Sequence, residues 1–295
     1  MVSLKRGASE KQISKGLCAF LGVVQVLEHV ASACPAETHG ALLSMRRVPS
    51  LCGQTQRTID VRLADCEGLR HEANALINRM YAWRGYGADH VLPANNDHQA
   101  VFTASMEDKV IATLTLTVDS PAGLSTDQTF REELDTLRQA PGTSLCELTK
   151  FAVDPTTKSP SVLAGLFHVI FIYGMQRFDC TDLLIEVHPR HVRYYEAMLG
   201  FDCLGPAKVD ESVSWWPSDT PVQLMRLKVS DIGEQIIRFA GRTDKMGRSL
   251  YPYFFSQDEE QEVAMRVARL WNAESSHSEP RSRSGMSGTF WRSAA

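Results

Sequence analysis

The residues of this chain best suited to chemistry lie in one short run, SLCELTKFAVDP, Ser144 to Pro155. Glu147, Thr149 and Lys150 sit there between Leu145 and Val153, in a segment otherwise built like a buried strand. On a strand, successive side chains point to opposite faces. Strict alternation puts Leu145, Glu147, Thr149, Phe151 and Val153 on one face, and Cys146, Leu148, Lys150 and Ala152 on the other. A carboxylate on an apolar face must be hydrogen-bonded or must open into a cleft, because burying it unpartnered is costly. In an apolar-walled cleft its pKa rises, as a general base at neutral pH requires. The plain alternative is a strand end at the rim of a sheet, with Glu147 solvated or paired to a Lys or Arg.

Two further stretches carry candidate groups. HPRHVRYYEAMLGF supplies Arg190, His191, Arg193, Tyr194 and Tyr195, a cationic cluster interleaved with tyrosines. It reads either as a site mouth that meets an anionic partner or as a solvated helix face. In DSPAGLSTDQTFREELDTLR, Asp119 closes a strand and Arg138 could clamp a substrate carboxylate bidentately. Arg79 and Arg84 are further candidates for that clamp. The alternative reading is that the acids of this segment simply favour a helix N-terminus. Ser125 and Gln128 have the spacing of a capping box. No His/Cys/Asp set has metal-ligand spacing.

The elements that must position these residues alternate along the chain. TIDVRLAD alternates Ile59, Val61 and Leu63 and predicts a strand. A helix is expected over 67–84, with Leu69, Ala73, Leu76 and Ile77 on one face. AVFTAS and KVIATLTLTV flank MEDK, a hairpin signal. After a short helix and the strand around Glu147, Ser159 and Pro160 open a long apolar helix. TDLLIEVHP, a continuous apolar strand, follows it. This strand–helix–strand unit demands a right-handed crossover and a parallel pair. HVRYYEAMLGF is a helix stopped by Gly200, and PVQLMRLKV closes the sheet. Antiparallel strands before a parallel pair make an α+β protein with a mixed central sheet flanked by helices. Helices are also expected over 230–239 and 256–271, the second with Ser256 and Glu259 as a capping box.

Four segments follow. Residues 1–55 read as a weakly ordered N-terminal extension, 56–229 as the main domain, 230–272 as a C-terminal helical extension, and 273–295 as a disordered Ser/Arg/Gly-rich tail. Near the N-terminus, Lys5, Arg6, Lys11 and Lys15 precede GLCAFLGVVQVL, and ASAC follows at Ala31–Cys34. That is the outline of a secretory signal, of an amphipathic leader, or of an over-long start with Met45 nearer the true one. The 295 residues carry a net charge of -4, which excludes a general attraction to nucleic acid. Seven scattered cysteines without a CxxC pair point to reduced thiols and a cytoplasmic location. No run reaches the ~18 apolar residues of a membrane helix.

The motifs in order, DSPAGLSTDQTFREELDTLR, CELTKFAVDP, HPRHVRYYEAMLGF and RSLYPYFF, resemble the GNAT acyltransferase superfamily, and within it the N-acyl amino acid synthases of the FeeM type. The resemblance covers about Ile59 to Phe255. It implies a GNAT acyltransferase fold and transfer of a long-chain acyl group from an acyl carrier protein thioester to the α-amine of an amino acid. A Glu–hydroxyl–basic trio in this strand lies at the active site of the related acyl-homoserine-lactone synthases. The resemblance therefore makes Glu147 the base that takes a proton from the attacking amine and Thr149 a hydrogen-bond donor near the thioester.

Arg138, Asp119, Lys150, Phe151 and Val153 are the expected substrate-binding residues, with Phe151 and Val153 along the acyl chain. Lys150, facing away from Glu147, reads as a support or docking residue. Arg190, His191, Arg193 and Tyr195 would meet the acidic carrier protein and its phosphopantetheine. The turn DPTTKSPSVLAGL lacks the Q/R-x-x-G-x-G/A cradle of acetyl-CoA enzymes and carries Pro160. A carrier protein is therefore favoured over acyl-CoA as donor, with no bound cofactor or metal. The partners implied are acyl carrier protein and an amino-acid acceptor, with peripheral membrane contact through the product. Two other readings stand beside this one. One is an acyl-homoserine-lactone synthase-like enzyme; the other is a non-catalytic relative that binds acyl carrier protein or lipid.

Overall fold

The computed structural model describes residues 40–49, 56–157, 159–209, 221–242 and 247–275. The leader, signal and tail readings lie outside those residues, apart from the strand and helix ends noted below. The sheet begins with four antiparallel strands: β1 (Leu42–Pro49), β2 (Gln56–Leu63), β3 (Gln99–Met106) and β4 (Lys109–Val118). Helix α1 (Glu67–Trp83) joins β2 to β3. Glu107 and Asp108 turn the β3–β4 hairpin with φ of 53° and 61°, the two left-handed positions of a tight hairpin turn.

Helix α2 (Asp127–Arg138) leads to β5 (Leu145–Val153), α3 (Pro160–Phe178) and β6 (Asp182–Val187). Helix α4 (Val192–Leu199) ends at Gly200, whose φ of 84° is open to glycine. Short strands β7 (Asp202–Cys203) and β8 (Lys208–Val209) precede β9 (Pro221–Lys228), and α5 (Val229–Phe239) and α6 (Gln257–Ser275) end the described chain. The strand order is β1-β2-β3-β4-β5-β6-β9-β7, with β8 on the start of β9. Among the described residues only β5 and β6 run parallel, as the strand–helix–strand reading requires.

Alternation sorts the core onto two faces. Ile59, Val61, Phe102, Leu114, Leu116, Cys146, Leu148, Leu183, Ile185 and Met225 pack under α3, α5 and α6 in the larger core. On the other face Val101 and Ala152 pack with α1, while Leu145, Leu184 and Leu224 pack with α2. Helix α3 is long and apolar enough to cross a membrane by length and composition. Here it is the core helix, buried nearly all round.

Strand β5 breaks its own alternation. Thr113 of β4 pairs with Ala152 and Thr115 with Thr149, so two residues of β5, Lys150 and Phe151, face one of β4. Lys150 takes a φ of 52° to make this bulge. The extra residue reverses the phase. Phe151 and Val153 turn to the α3 face, away from Glu147, contrary to the strict alternation expected from the sequence. Val153 packs into the large core opposite Ala112.

Two segment assignments also change. Leu42–Pro49, inside the expected weakly ordered stretch, is an edge strand that buries Leu43 and Val48. Helix α6 runs on to Ser275, past the expected end at Trp271, and packs on α3 and β1. Arg46 of β1 holds that end in place, donating to the Tyr253 carbonyl (2.7 Å) and pairing with Glu259 (3.2 Å). The Ser256–Glu259 capping box forms as expected.

Candidate active site

The parallel pair that holds Glu147 is short. Its register runs Leu145–Asp182, Cys146–Leu183, Glu147–Leu184 and then stops, although both strands continue. A cavity of about 480 Å³ occupies the gap between them. Its lining comes from both faces of the sheet. Glu147, Thr117 and Val222 contribute from the α1/α2 side, and Leu114, Leu148 and Phe167 from the α3 side. The sheet is therefore perforated where β5 and β6 diverge, and the bulge at Lys150 lies along the same opening.

Glu147 stands at the last paired position and is 2% exposed. The turn before α2 supplies its hydrogen bonds. Ser125 Oγ donates to Oε1 at 2.6 Å and Ser125 N–H to Oε2 at 2.8 Å, and the Thr126 N–H donates as well. Ser125 thus serves Glu147 instead of capping α2, whose N-cap residue is Thr126. Burial pushes the Glu147 carboxyl above the usual range, the Ser125 and Thr126 bonds pull it back, and the charge of Asp127 pushes it up again. The outcome is a carboxylate held in one orientation with raised proton affinity, facing a cavity.

Thr149 and Lys150 line the same cavity, both half-buried. Phe151 lines it too, from the opposite face, its ring 5.5 Å from that of Phe167. Val153, Asp119 and Arg138 do not belong to it. Arg138 uses its whole guanidinium on carboxylates. It makes two bonds each to Asp119 (2.6 and 3.0 Å) and Asp127 (2.7 and 2.7 Å), and one to Asp135 (2.9 Å). No donor is left for a substrate, so the carboxylate clamp expected of Arg138 and Asp119 is a structural ion cluster that ties α2 to the end of β4. Arg79 is likewise committed to Asp154.

The rim is basic and aromatic. His191 and Tyr195 line the cavity with Arg84, Tyr81, Tyr86 and His90. Arg190 lies beside the rim, donating to the Tyr86 hydroxyl at 2.6 Å and to His191 Nε2 at 3.2 Å. Arg193 is exposed on α4. Burial, then Arg190, Arg84 and His188, lower the His191 pKa, so positive charge converges here. Burial pushes the Tyr81 hydroxyl up to about 12 and raises that of Tyr195, keeping both protonated as donors. Sequence reasoning missed Ser125 as a site residue, and with it the Tyr81–Tyr86–His90 wall. Only the placement of α1 and the 120–126 turn over β5 brings them in. Among the described residues, no group of three or more His, Cys, Asp or Glu could hold a metal ion.

The mixed sheet splays where β5 and β6 run parallel, and the cavity and the buried carboxylate lie at that splay. The chain belongs to the N-acyl amino acid synthase FeeM family, whose model matches residues 72–228. Among solved structures it is similar to FeeM, an N-acyl amino acid synthase from uncultured soil microbes. That match has 20% identity, covers 65% of this chain and 95% of the other, and has a TM-score of 0.49. The AHL synthase LasI matches at 15% identity over 59% and 90% of the two chains, TM-score 0.43. The GNAT domain of S. lividans PAT matches at 16% over 62% and 96%, TM-score 0.38. No curated protein matches.

Proposed function

We propose that this enzyme moves a long-chain acyl group from an acyl carrier protein thioester to the α-amine of an amino acid, with Glu147 as the general base. The observation that carries this reading is Glu147 itself, buried and oriented by Ser125 at the edge of a cavity that opens through the sheet. An α-amine is mostly protonated at neutral pH, and only its free form attacks a thioester. Glu147, directly or through one water, takes the proton. The amine nitrogen then bonds to the acyl carbon, and the carbon–sulfur bond breaks. Of the two protons the ammonium loses, one returns to the released thiolate and one leaves to solvent. Thr149 donates to the thioester region, and backbone N–H groups of β5 beyond the last β6 pair suit the developing oxyanion.

The apolar wall of Leu114, Leu148, Phe151 and Phe167 suits the acyl chain. Arg190 and Arg193, with His191 and Tyr195 at the rim, suit an acidic carrier protein and its phosphopantetheine phosphate. Helix α3 begins at Pro160 with no side-chain cap, a start poorer in N–H donors than a glycine-rich pyrophosphate cradle, which favours the carrier over acyl-CoA. Free cysteines at 66, 146, 180 and 203 accord with a reducing cytoplasm. Contact with the membrane would come through the lipidic product.

The test is to supply purified enzyme with acyl carrier protein thioesters or acyl-CoA and a mixture of amino acids, and to detect new amides by mass spectrometry. Amide formed faster from the carrier thioester is expected. Turnover that is equal or faster from acyl-CoA would remove the carrier from the reading.

A further inference from the structure

An enzyme that acylates amino acids rather than amines in general needs a cation for the α-carboxylate. The arginine with the right fork geometry, Arg138, has spent every donor on Asp119, Asp127 and Asp135. Arg79 is bound to Asp154. Among the described residues, Arg84 and Lys150 are the arginine and lysine that remain on the cavity wall. Arg84 is exposed at the rim, while Lys150 is half-buried on β5, three residues beyond Glu147.

Lys150 is unusual in two independent ways. Its backbone has a φ of 52° in the middle of a strand, whereas the other three non-glycine residues with positive φ among the described residues, Glu107, Asp108 and Asp179, sit in a hairpin turn or at a helix end. A lysine held in this region is strained, and strain in a cavity-lining residue points to use. The conformation also breaks the β-ladder, so that Lys150 lines the cavity although simple alternation turns it away from Glu147. Its ammonium, moreover, has no hydrogen bond or ion pair among the described residues. Lys109 and Lys208, by contrast, are paired with Asp154 and Glu133. A half-buried ammonium without a counter-ion is poorly solvated, and burial alone lowers its pKa. A ligand carboxylate would supply the missing charge.

We propose that Lys150 is the carboxylate anchor of the acceptor site, the residue that makes this enzyme select amino acids over other primary amines. This rests on the acyl-transfer reading above. The bulge sets the anchor on the same strand as the base, so an amino acid held by its carboxylate at Lys150 has its amine, two bonds away, directed along β5 toward Glu147. The aromatic rim of Tyr81, Tyr86 and His90 is then left for the acceptor side chain.

The experiment compares three matched acceptors, an amino acid, its amide and its decarboxylated amine, with a fixed acyl carrier protein thioester. The wild type is expected to prefer the amino acid by about 10- to 100-fold in kcat/KM, the scale of one charge-assisted contact in a partly desolvated site. In Lys150→Met the KM for the amino acid rises, the KM for the thioester stays, and the three acceptors come within about 3-fold of one another. Lys150→Arg keeps the preference. Lys150→Gly relieves the backbone strain, so it folds at least as stably as the wild type and still loses the preference. Arg84→Gln keeps it.

Undiminished preference in Lys150→Met, or its loss in Arg84→Gln, overturns the anchor. So does a wild type that acylates all three acceptors equally, which leaves acyl transfer intact. A wild type that forms no amide with any acceptor overturns the acyl-transfer reading and the anchor with it.

Discussion

Two carboxylates hang from the same turn and are pushed in opposite directions. Glu147 takes hydrogen bonds from the N–H and hydroxyl of Ser125, and Asp127 takes one from the Leu124 N–H at 2.7 Å. Both are almost fully buried. Asp127 also receives both arms of Arg138, and its pKa falls below the ordinary carboxylate value. Glu147 pairs with no cation among the described residues, and its pKa rises. Burial and backbone donors are common to both, so the guanidinium makes the difference. Arg138 is placed where it settles the charge of the structural acid and leaves the catalytic candidate in need of a proton.

The largest expected effect comes from removing the reactive member. Glu147→Gln keeps the shape, with the amide oxygen accepting from the Ser125 N–H and the amide nitrogen donating to a reversed Ser125 hydroxyl, but it cannot accept a proton, and kcat should fall by about 10²- to 10⁴-fold with the fold intact. Its stability should move the other way. A folded pKa raised above 4.5 stabilises the protein below pH 4.5, and that contribution is lost as pH rises through the folded value. The variant should therefore gain melting temperature relative to the wild type as the buffer goes from pH 4 to pH 8. Thermal melts across that range, with turnover measured beside them, check both halves.

The structural member is broken by Arg138→Met. Asp119 and Asp127 lose their partner, and unfolding in urea should report a loss of about 2–4 kcal/mol at pH 7, scaled down from a fully buried pair because Arg138 is about a quarter exposed. Asp127 gains stability from Arg138 above pH 3.8, which is lost as pH falls through its depressed folded pKa. The gap between variant and wild type should accordingly shrink below about pH 4, as Asp127 protonates. An unpaired Asp127 also adds to the charge that opposes ionisation of Glu147, so the acid limb of the kcat/KM profile should move to higher pH.

Ser125→Ala is the finest cut, because it removes one hydroxyl and leaves the backbone N–H in place. Losing a bond to the ionised form raises the Glu147 pKa further, so the acid limb again moves up. Turnover at pH 7 should fall by roughly 10-fold, while above the shifted limb it recovers. Loss of rate uniform across pH would mean that Ser125 only supports the turn.

Local patterns made much of the fold legible. The long apolar helix, the buried strand after it and their parallel pairing follow from hydrophobic run lengths and the Ser159–Pro160 start. The 56–63 strand follows from the alternation of Ile59, Val61 and Leu63. The first strand was not legible, because LLSMRRVP buries Leu43, Ser44 and Val48 around a register shift and so shows no steady period. Ser125 and Gln128 match a capping box in spacing. The match misleads because the Ser125 hydroxyl has a stronger acceptor in Glu147, twenty-two residues away. Arg138 shows the reverse error: an arginine suited to a substrate carboxylate met three carboxylates of its own chain first.

The sequence by itself determined that a carboxylate and a hydroxyl would sit two residues apart on one face of a buried strand, since alternation up to Thr149 needs nothing beyond the β conformation. It also determined the parallel pair and the helix that crosses between its strands. Tertiary structure alone decided what lies beyond Thr149. Pairing with β4 admits one extra residue at Lys150, reverses the phase so that Phe151 joins the α3 face, and brings the lysine into the opening left by β6. A bulge depends on which residues of a neighbouring strand are opposite, and that register is a long-range property which no local period encodes.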